Sequence, residues 1–435
     1  MKKQTSPVLT DLTSSATDPT RAAQQARALL VISAEIKQSI QLEIAAGRYP
    51  RKDYFELANA LQADILDLTA IEAHPGARLL ARVAGTSLTH AWLAFRQRRH
   101  YQVIYTDSER VGIPLTVLLK LARARTRHVM LTHLLSPWKK RVWFRWGHIQ
   151  SHIATLLCHS SLQRQIMIEQ LRIPAENIKL IPYQVDERFW RPMSPQEARA
   201  ALNDATAPAN TGAAPANAAA DAMTSEPSTA MICSVGLEYR DYPTLIEAVR
   251  GLDVQLEIAA ASHWSTHRSS AADQSLPPNV HISAHPYLSL RLLYASSRFV
   301  VVPLLDVPNQ AGITTILEAM AMGKAVIVSG TQGQTDTVRD RRNNGFGRIE
   351  RKVLPGFLDA PEVNEELRHL ATGFYVKPGD AAELRKAIAY LLAHPEVADE
   401  LGRNGRRVFT ALMTLDAFTE RIARVIQAAA QSSGN

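Results

Sequence analysis

Two cysteines in 435 residues, Cys158 and Cys233, are too few for a disulfide framework and have no metal-ligand spacing. Their scarcity fits a reducing compartment. No apolar run reaches the roughly 18 residues that span a bilayer. The best stretch, around Val111–Leu121, is short and interrupted by Lys120. The start, MKKQTSPVLTDLTSS, is basic but is followed by no apolar segment, so it is not read as a secretory signal. There is no short-period repeat and no Asp-x-Asp metal motif. Gly345-Phe346-Gly347 lacks the preceding strand and the third glycine of a dinucleotide fingerprint. The expectation is a cytoplasmic protein, at most peripheral at the inner face of a membrane.

What is present is globular: 46% hydrophobic and 21% charged residues. The length suits two domains, each with its own core. The net charge of +8 is uneven. Residues 1–190 hold 26 Lys/Arg against 15 Asp/Glu, and the remainder holds 23 against 26. The basic excess lies in the first half and points to an anionic partner there.

Residues 1–26 are polar and read as a flexible N-terminus. Apolar runs of strand length follow: ALLVIS (28–33), ADILDL (63–68), YQVIYTD (101–107), HVMLTH (128–133), IATLLCHS (153–160) and IKLIPYQVD (178–186). Helical periodicity separates them, which predicts βαβ units and a parallel sheet covered on both faces. This makes 27–192 an N-terminal domain. Residues 193–229, rich in Ala, Pro, Asn, Ser and Thr, read as a linker or low-complexity insertion. The rhythm restarts with MICSVG (231–236), helix 242–252, VQLEIAA (254–260), helix 288–297, RFVVVPL (298–304) and a helix and strand within 312–329. Residues 339–371, carrying RDRRNNGFGRIERK, read as a second insertion. A helix after TGFYVKPGD takes Asp380 as its N-cap. The second domain is placed at 230–415, and 416–435 is a C-terminal helix and tail. The fold class predicted is α/β, with two doubly wound Rossmann-like domains facing a central cleft.

Ligands of such sheets sit at the carboxyl ends of the strands. In GITTILEAMAMGKAVIVS (312–329), a glycine opens a helix directly after a strand and loop. A helix start offers unpaired N–H groups and partial positive charge, so it can hold a phosphate, and glycine allows close approach. Glu318 lies two turns in among apolar neighbours. It reads either as a ligand for sugar hydroxyls or as a glutamate on an exposed face near Lys324.

Four stretches, in order, resemble the nucleotide-sugar-binding domain of GT-B glycosyltransferases, the retaining GT4 family (glycosyl transferases group 1). They are SVGLEYRDYPTLIEAV, HPYLSLRLLYASSRFVVVP, NQAGITTILEAMAMGKAVI, and TGFYVKPGDAAELRKAIAYLL with LGRNGRRVF beyond it. HSSLQRQIMIEQLRIPAENIKLIPYQVDERFWRP resembles the segment before the family's domain crossover. The resemblance covers 230–415 and 152–192 well and 1–150 loosely. It implies retaining transfer of a hexose from a nucleoside-diphosphate sugar to a glycan or glycolipid, with no metal or other cofactor.

Family roles then fall on single positions. Glu318 matches the second Glu of the E-x7-E element, which binds the ribose. Gln310 stands where the first Glu lies near the transferred sugar. Ala311, Gly312, Ile313 and Thr314 occupy the stretch whose amides meet the donor. Arg240 stands for the phosphate-binding lysine, and Leu237 replaces the family's other basic residue. Arg240 and the Gly312 helix start would stabilise charge developing on the leaving diphosphate.

His133, at a first-half strand end, is a candidate for contacting the transferred sugar or acceptor; a packed or surface histidine reads equally well. Asp107 and Glu109 are acceptor-side candidates, with loop capping the other reading. In PWKKRVWFRWGHI (137–149), read as one helix, Trp138, Val142, Trp146 and Ile149 share a face, with Lys139, Lys140, Arg141 and Arg145 elsewhere. Trp138, Lys139, Lys140, Arg141 and Arg145 are therefore candidates for facing an anionic membrane, against a core helix with a solvated basic edge. No nucleic-acid-reading module is recognised, and no nucleic acid partner is expected. His148 and His152, spaced i, i+4, have no third ligand. The rival functions are a non-catalytic GT-B scaffold in a glycan-assembly complex, and a nucleotide-sugar epimerase or phosphorylase on the same fold.

Overall fold

The structure, a computed structural model, describes residues 27–194, 197, 229–261, 276–334, 336–341, 356–360 and 363–432. The flexible N-terminus expected at 1–26 lies outside the described residues. So do nearly all of the 193–229 linker and residues 342–352 of the basic insertion.

The six apolar runs of the first half form β1 (Ala28–Val31), β2 (Asp64–Leu66), β3 (Val103–Thr106), β4 (Arg127–Thr132), β5 (Thr155–Cys158) and β6 (Ile178–Leu180). They make one sheet in the order β2-β1-β3-β4-β5-β6, parallel throughout. The second half forms β7 (Met231–Val235), β8 (Gln255–Ala261), β9 (Val280–Ala284), β10 (Phe299–Val302), β11 (Ala325–Ser329) and β12 (Gly373–Val376). Their order is β12-β11-β10-β7-β8-β9, again parallel. The molecule therefore has two α/β Rossmann-like domains.

Both faces of each sheet are covered, which is why the strands are apolar at nearly every position. Leu30 packs on one face with Tyr105 and Leu131, while Leu29 and Val31 pack on the other with Ile104. The second sheet divides likewise, Val300 and Val302 to one side and Phe299 and Val301 to the other.

Two strands and one long helix go beyond the sequence reading. β9 is an edge strand with a half-exposed pattern, so its apolar signal is weak. β12 begins at Gly373, where a Cβ would stand 2.3 Å from the Val326 carbonyl oxygen; only glycine lets the two strands lie so close. The helix Pro395–Leu412 contains Gly402 and Gly405. They are approach points: a Cβ at Gly402 would stand 2.1 Å from the carbonyl oxygen of Gly323. The region 339–371 is not all loop. Phe357–Asp359 is a 3-10 turn with Phe357 buried, and Glu365–His369 is a short helix. The stretch 137–149 is not one helix. The helix stops at Arg145, His148 turns left-handed, and Ile149 starts a 3-10 segment and enters the core. Ile149 thus shares no exposed face with the tryptophans.

The chain crosses between the domains twice, side by side. Val185 bridges Thr414, and the Leu415 amide donates to the Val185 carbonyl at 3.1 Å. Arg51 fastens both crossings. Its guanidinium meets Asp186 at 2.8 Å, Glu187 at 2.9 Å and Asp416 at 2.8 Å. After the second crossing, the helix Leu415–Gln431 packs on the first sheet, burying Phe418, Ile422, Val425 and Ile426 beside Leu30 and Leu131. It is a layer of the first domain.

Each of those four side chains is worth about 2 kcal/mol of burial, so together they rival a domain's net stability of roughly 5–15 kcal/mol. Deleting residues 414–435 is expected to leave the first domain without fixed packing. Near-ultraviolet circular dichroism and amide dispersion by NMR would report that loss.

Candidate functional site

β7 and β10 are neighbours in the second sheet, and the chain leaves them in opposite directions. That is a topological switch point, where an α/β sheet opens a crevice at its carboxyl edge. Two segments border it: the loop Gly236–Asp241 after β7, and residues 303–312 after β10. They are stitched together, Asp241 N–H to the Pro303 carbonyl at 3.1 Å and Leu305 N–H to the Tyr239 carbonyl at 3.0 Å.

The helix Ile313–Ala321 starts from the crevice. Its N-cap is Gly312, at φ +76°, and no side chain caps it among the described residues. A Cβ at Gly312 would stand 2.8 Å from Val302 Cγ1. Glycine is thus required here by both conformation and space. Ile316 N–H is the first to find a helical acceptor, at Gly312, so the amides of the first turn face the crevice as a partial positive charge. Ala311 is buried and its carbonyl accepts from Gln334 Nε2 at 2.9 Å. Gln310 has both amide atoms enclosed and without a hydrogen-bond partner. An enclosed amide with four unused hydrogen-bonding positions is the kind of group a polar ligand satisfies.

Glu318 is 6% exposed. Its Oε2 accepts from the Tyr294 hydroxyl at 2.8 Å. Burial pushes its pKa up to about 7, against the pull of Tyr294, Lys52 and Arg240. Arg240 is 7% exposed and turns inward. It donates to the Val235 carbonyl at 2.9 Å, the Glu238 carbonyl at 2.9 Å and Thr315 Oγ1 at 3.0 Å. Its guanidinium braces its own loop against the 313–321 helix and fills the space over Gly236, where a Cβ would stand 2.5 Å from Nη2. Burial lowers its pKa from the usual arginine value. The arginine expected to present an open fork to phosphate is therefore engaged with the fold, its charge at the base of the crevice. Leu237 packs against the apolar cluster of the second domain.

The first domain faces the crevice with its own strand ends. Asp107, after β3, accepts from Ser33 Oγ at 2.6 Å and Ser33 N–H at 2.8 Å, which closes the β1–β3 switch point. Burial raises its pKa to about 6, the Ser33 bonds opposing and Asp53 adding. Glu109 is buried, accepting from His133 N–H at 2.9 Å and Lys140 Nζ at 2.6 Å. Its carboxylate fixes the end of β4 and does not point at an acceptor. Lys140 is corrected with it: its ammonium is turned inward to Glu109 and the Leu134 carbonyl, not outward to a membrane. The His133 ring is exposed, 3.0 Å from the Asp107 carbonyl through Nε2, and its centroid is 5.9 Å from that of His159. Buried His159 bonds the Ile181 carbonyl, and desolvation takes its pKa down to about 3.

Side chains that sequence reasoning did not name join the domains. Asp336 accepts from Ser161 N–H at 2.7 Å and Ser161 Oγ at 2.5 Å, capping a first-domain helix from the second domain. Tyr49 meets Tyr287 edge to face, centroids 4.5 Å apart. Tyr294, Tyr49 and Asp336 each meet a partner on a different element, and no local pattern marks them. Among the described residues no cluster of three or more His, Cys, Asp or Glu is placed to hold a metal, and no helix is long and apolar enough to cross a membrane.

Two facing Rossmann-like domains with a switch-point crevice between them define the GT-B architecture. Residues 235–352 match the family model for glycosyl transferases group 1. Among solved structures, a glycosyltransferase from Rickettsia africae ESF-5 superposes with a TM-score of 0.61 at 15% identity, covering 93% of this chain and 99% of that one. Sucrose-phosphate synthase from Thermosynechococcus elongatus gives 0.59 at 17% identity over 93% and 100%. Anabaena HepE, solved with UDP-glucose, gives 0.58 at 14% identity over 93% and 100%. No curated protein matches. Residues 235–352 thus resemble the group 1 glycosyl transferases, and the chain as a whole has the GT-B fold.

The folded Glu318 carboxyl holds its proton to about pH 7, whereas an unfolded one releases it near 4.5. The folded state thus binds more protons in that window, and the stability this contributes is lost as pH rises through 7. Glu318→Gln, which keeps an acceptor for Tyr294, is expected to exceed wild type at pH 8 by on the order of 2–3 kcal/mol. The gap should close by pH 4.5, as read from denaturant midpoints at the two pH values.

Proposed function

We propose that the protein transfers a hexose from a nucleoside-diphosphate sugar to a glycan or glycolipid acceptor with retention at the anomeric carbon. The observation that carries this is the convergence, at one crevice edge, of the open Gly312 helix start, the unpartnered Gln310 amide and buried Glu318. In this reading the first-turn amides of Ile313 and Thr314 hold the diphosphate, Glu318 takes the ribose hydroxyls, and Gln310 hydrogen-bonds the transferred sugar. The anomeric C–O bond to phosphate breaks and the acceptor oxygen forms its bond on the same face. The acceptor's proton passes to the departing phosphate oxygen. The protein's task is to stabilise charge on the leaving group, which amide dipoles and the fixed Arg240 charge do without reorganisation. His133 lies across the crevice, on the side of sugar and acceptor, and Asp107 shapes that side through Ser33.

The test is turnover of a panel of nucleotide sugars by purified protein, with the product's anomeric configuration read by NMR. Glu318→Ala is expected to lower kcat/KM by about 100-fold, and Gln310→Ala by about tenfold, from lost hydrogen bonds to the substrate. A second reading, a non-catalytic scaffold, draws on the inward guanidinium of Arg240 and the packed Leu237. It gains if wild type neither binds nor turns over any nucleotide sugar.

The basic first half supports a peripheral site at the cytoplasmic membrane face. Trp138 and Trp146 are 66% and 75% exposed, beside exposed Lys139 and Arg145 and half-exposed Arg141. Aromatic rings next to cations suit an anionic interface. Wild type is expected to sediment with vesicles containing phosphatidylglycerol and not with neutral ones. Trp138→Ala with Trp146→Ala should release it without a change in melting temperature.

A further inference from the structure

Among the described residues, the donor crevice has few cations for a diphosphate. Arg240 is engaged with main-chain carbonyls and Thr315, and Leu237, half-buried against the apolar cluster, carries no charge. The first domain offers another. Lys52 sits at the start of the helix Asp53–Leu61, where its carbonyl accepts from Phe55 N–H at 3.1 Å. Its half-buried ammonium lies 4.7 Å from the centroid of Tyr49 and 5.9 Å from that of Tyr287. Those rings belong to different domains and touch edge to face. Lys52 therefore points into the gap between the domains, over the helix whose Tyr294 holds Glu318.

Two further observations separate this lysine from an ordinary surface cation. Among the described residues its ammonium has no hydrogen-bond acceptor and no carboxylate within ion-pair distance, although its field reaches both Asp53 and Glu318. Its backbone is also held: Arg51, the preceding residue, is bound through its main chain and side chain to Asp186 and through its guanidinium to Glu187 and Asp416. The cation is thus carried on a fixed base at the domain crossing. A half-desolvated ammonium resting on two ring faces, with three unused donors, is poised for an anion that enters the gap.

We propose that Lys52 is a positioning residue of the donor site, supplying from the first domain the cation that meets the nucleotide's diphosphate. The assignment rests on the donor-site reading above. As the domains close, Lys52 approaches the phosphates from the side opposite the Gly312 amides, so the anion is held between a cation on one domain and a helix start on the other.

The experiment is calorimetric titration of UDP, GDP, ADP and TDP into wild type, Lys52→Ala and Lys52→Arg, at 50 and 500 mM NaCl. The diphosphate that binds wild type is expected to bind Lys52→Ala roughly tenfold more weakly at 50 mM salt. The difference should shrink at 500 mM, Lys52→Arg should recover most of the affinity, and melting temperatures should stay within two or so degrees of each other. Equal binding by wild type and Lys52→Ala overturns the assignment and leaves the donor site standing. A loss that salt does not change, or that arginine does not restore, also overturns it. Failure of wild type to bind any of the four overturns the donor-site reading, and this assignment with it.

Discussion

The two crossings between domains lie against each other, and one guanidinium holds them. Arg51 draws Asp186 and Glu187 from the first crossing and Asp416 from the second onto a single first-domain loop. Placing several carboxylates around one cation is costly in desolvation unless the hydrogen bonds are well formed, and here each short contact is also a hydrogen bond. That knot sets where the first sheet's carboxyl edge stands relative to the second. The Tyr49–Tyr287 contact and the Asp336 cap on Ser161 lie across the same domain boundary.

Buried charge in this molecule does two kinds of work. Glu109 and Asp107 are consumed by the fold, one by Lys140 and the His133 amide, the other by Ser33. Glu318 has one neutral donor and a cation only at a distance, which is why burial dominates its proton affinity. The Gln310 amide has no partner among the described residues. The difference between satisfied and unsatisfied buried groups, more than the count of charges, separates scaffold from site.

Most of the fold was legible because a parallel sheet buried on both faces writes itself as short apolar runs, and ten of the twelve strands coincide with such runs. The exceptions have physical causes. β9 lies at an edge, β12 needs a glycine for close approach, and the glycines of Pro395–Leu412 serve packing against Gly323. The site was legible in part. Residues 310–318 lie together because they are one loop and one helix start, so linear spacing already places them. The inward turn of Arg240 and of Lys140 was not legible, since a sequence shows a charge but not its partner. Tyr294, Lys52 and Asp336 were silent for the same reason: each matters through a residue on another element.

The helix Leu415–Gln431 has a bearing on biosynthesis. It is made after the second domain but lies on the sheet that is made before it. During translation, the face formed by Leu30, Tyr105 and Leu131 stays open while the entire second domain emerges. At elongation rates of about 5–20 residues per second, that exposure lasts on the order of ten seconds or more. The nascent chain must tolerate an uncovered apolar sheet for that time, which makes it a natural client for a ribosome-associated chaperone.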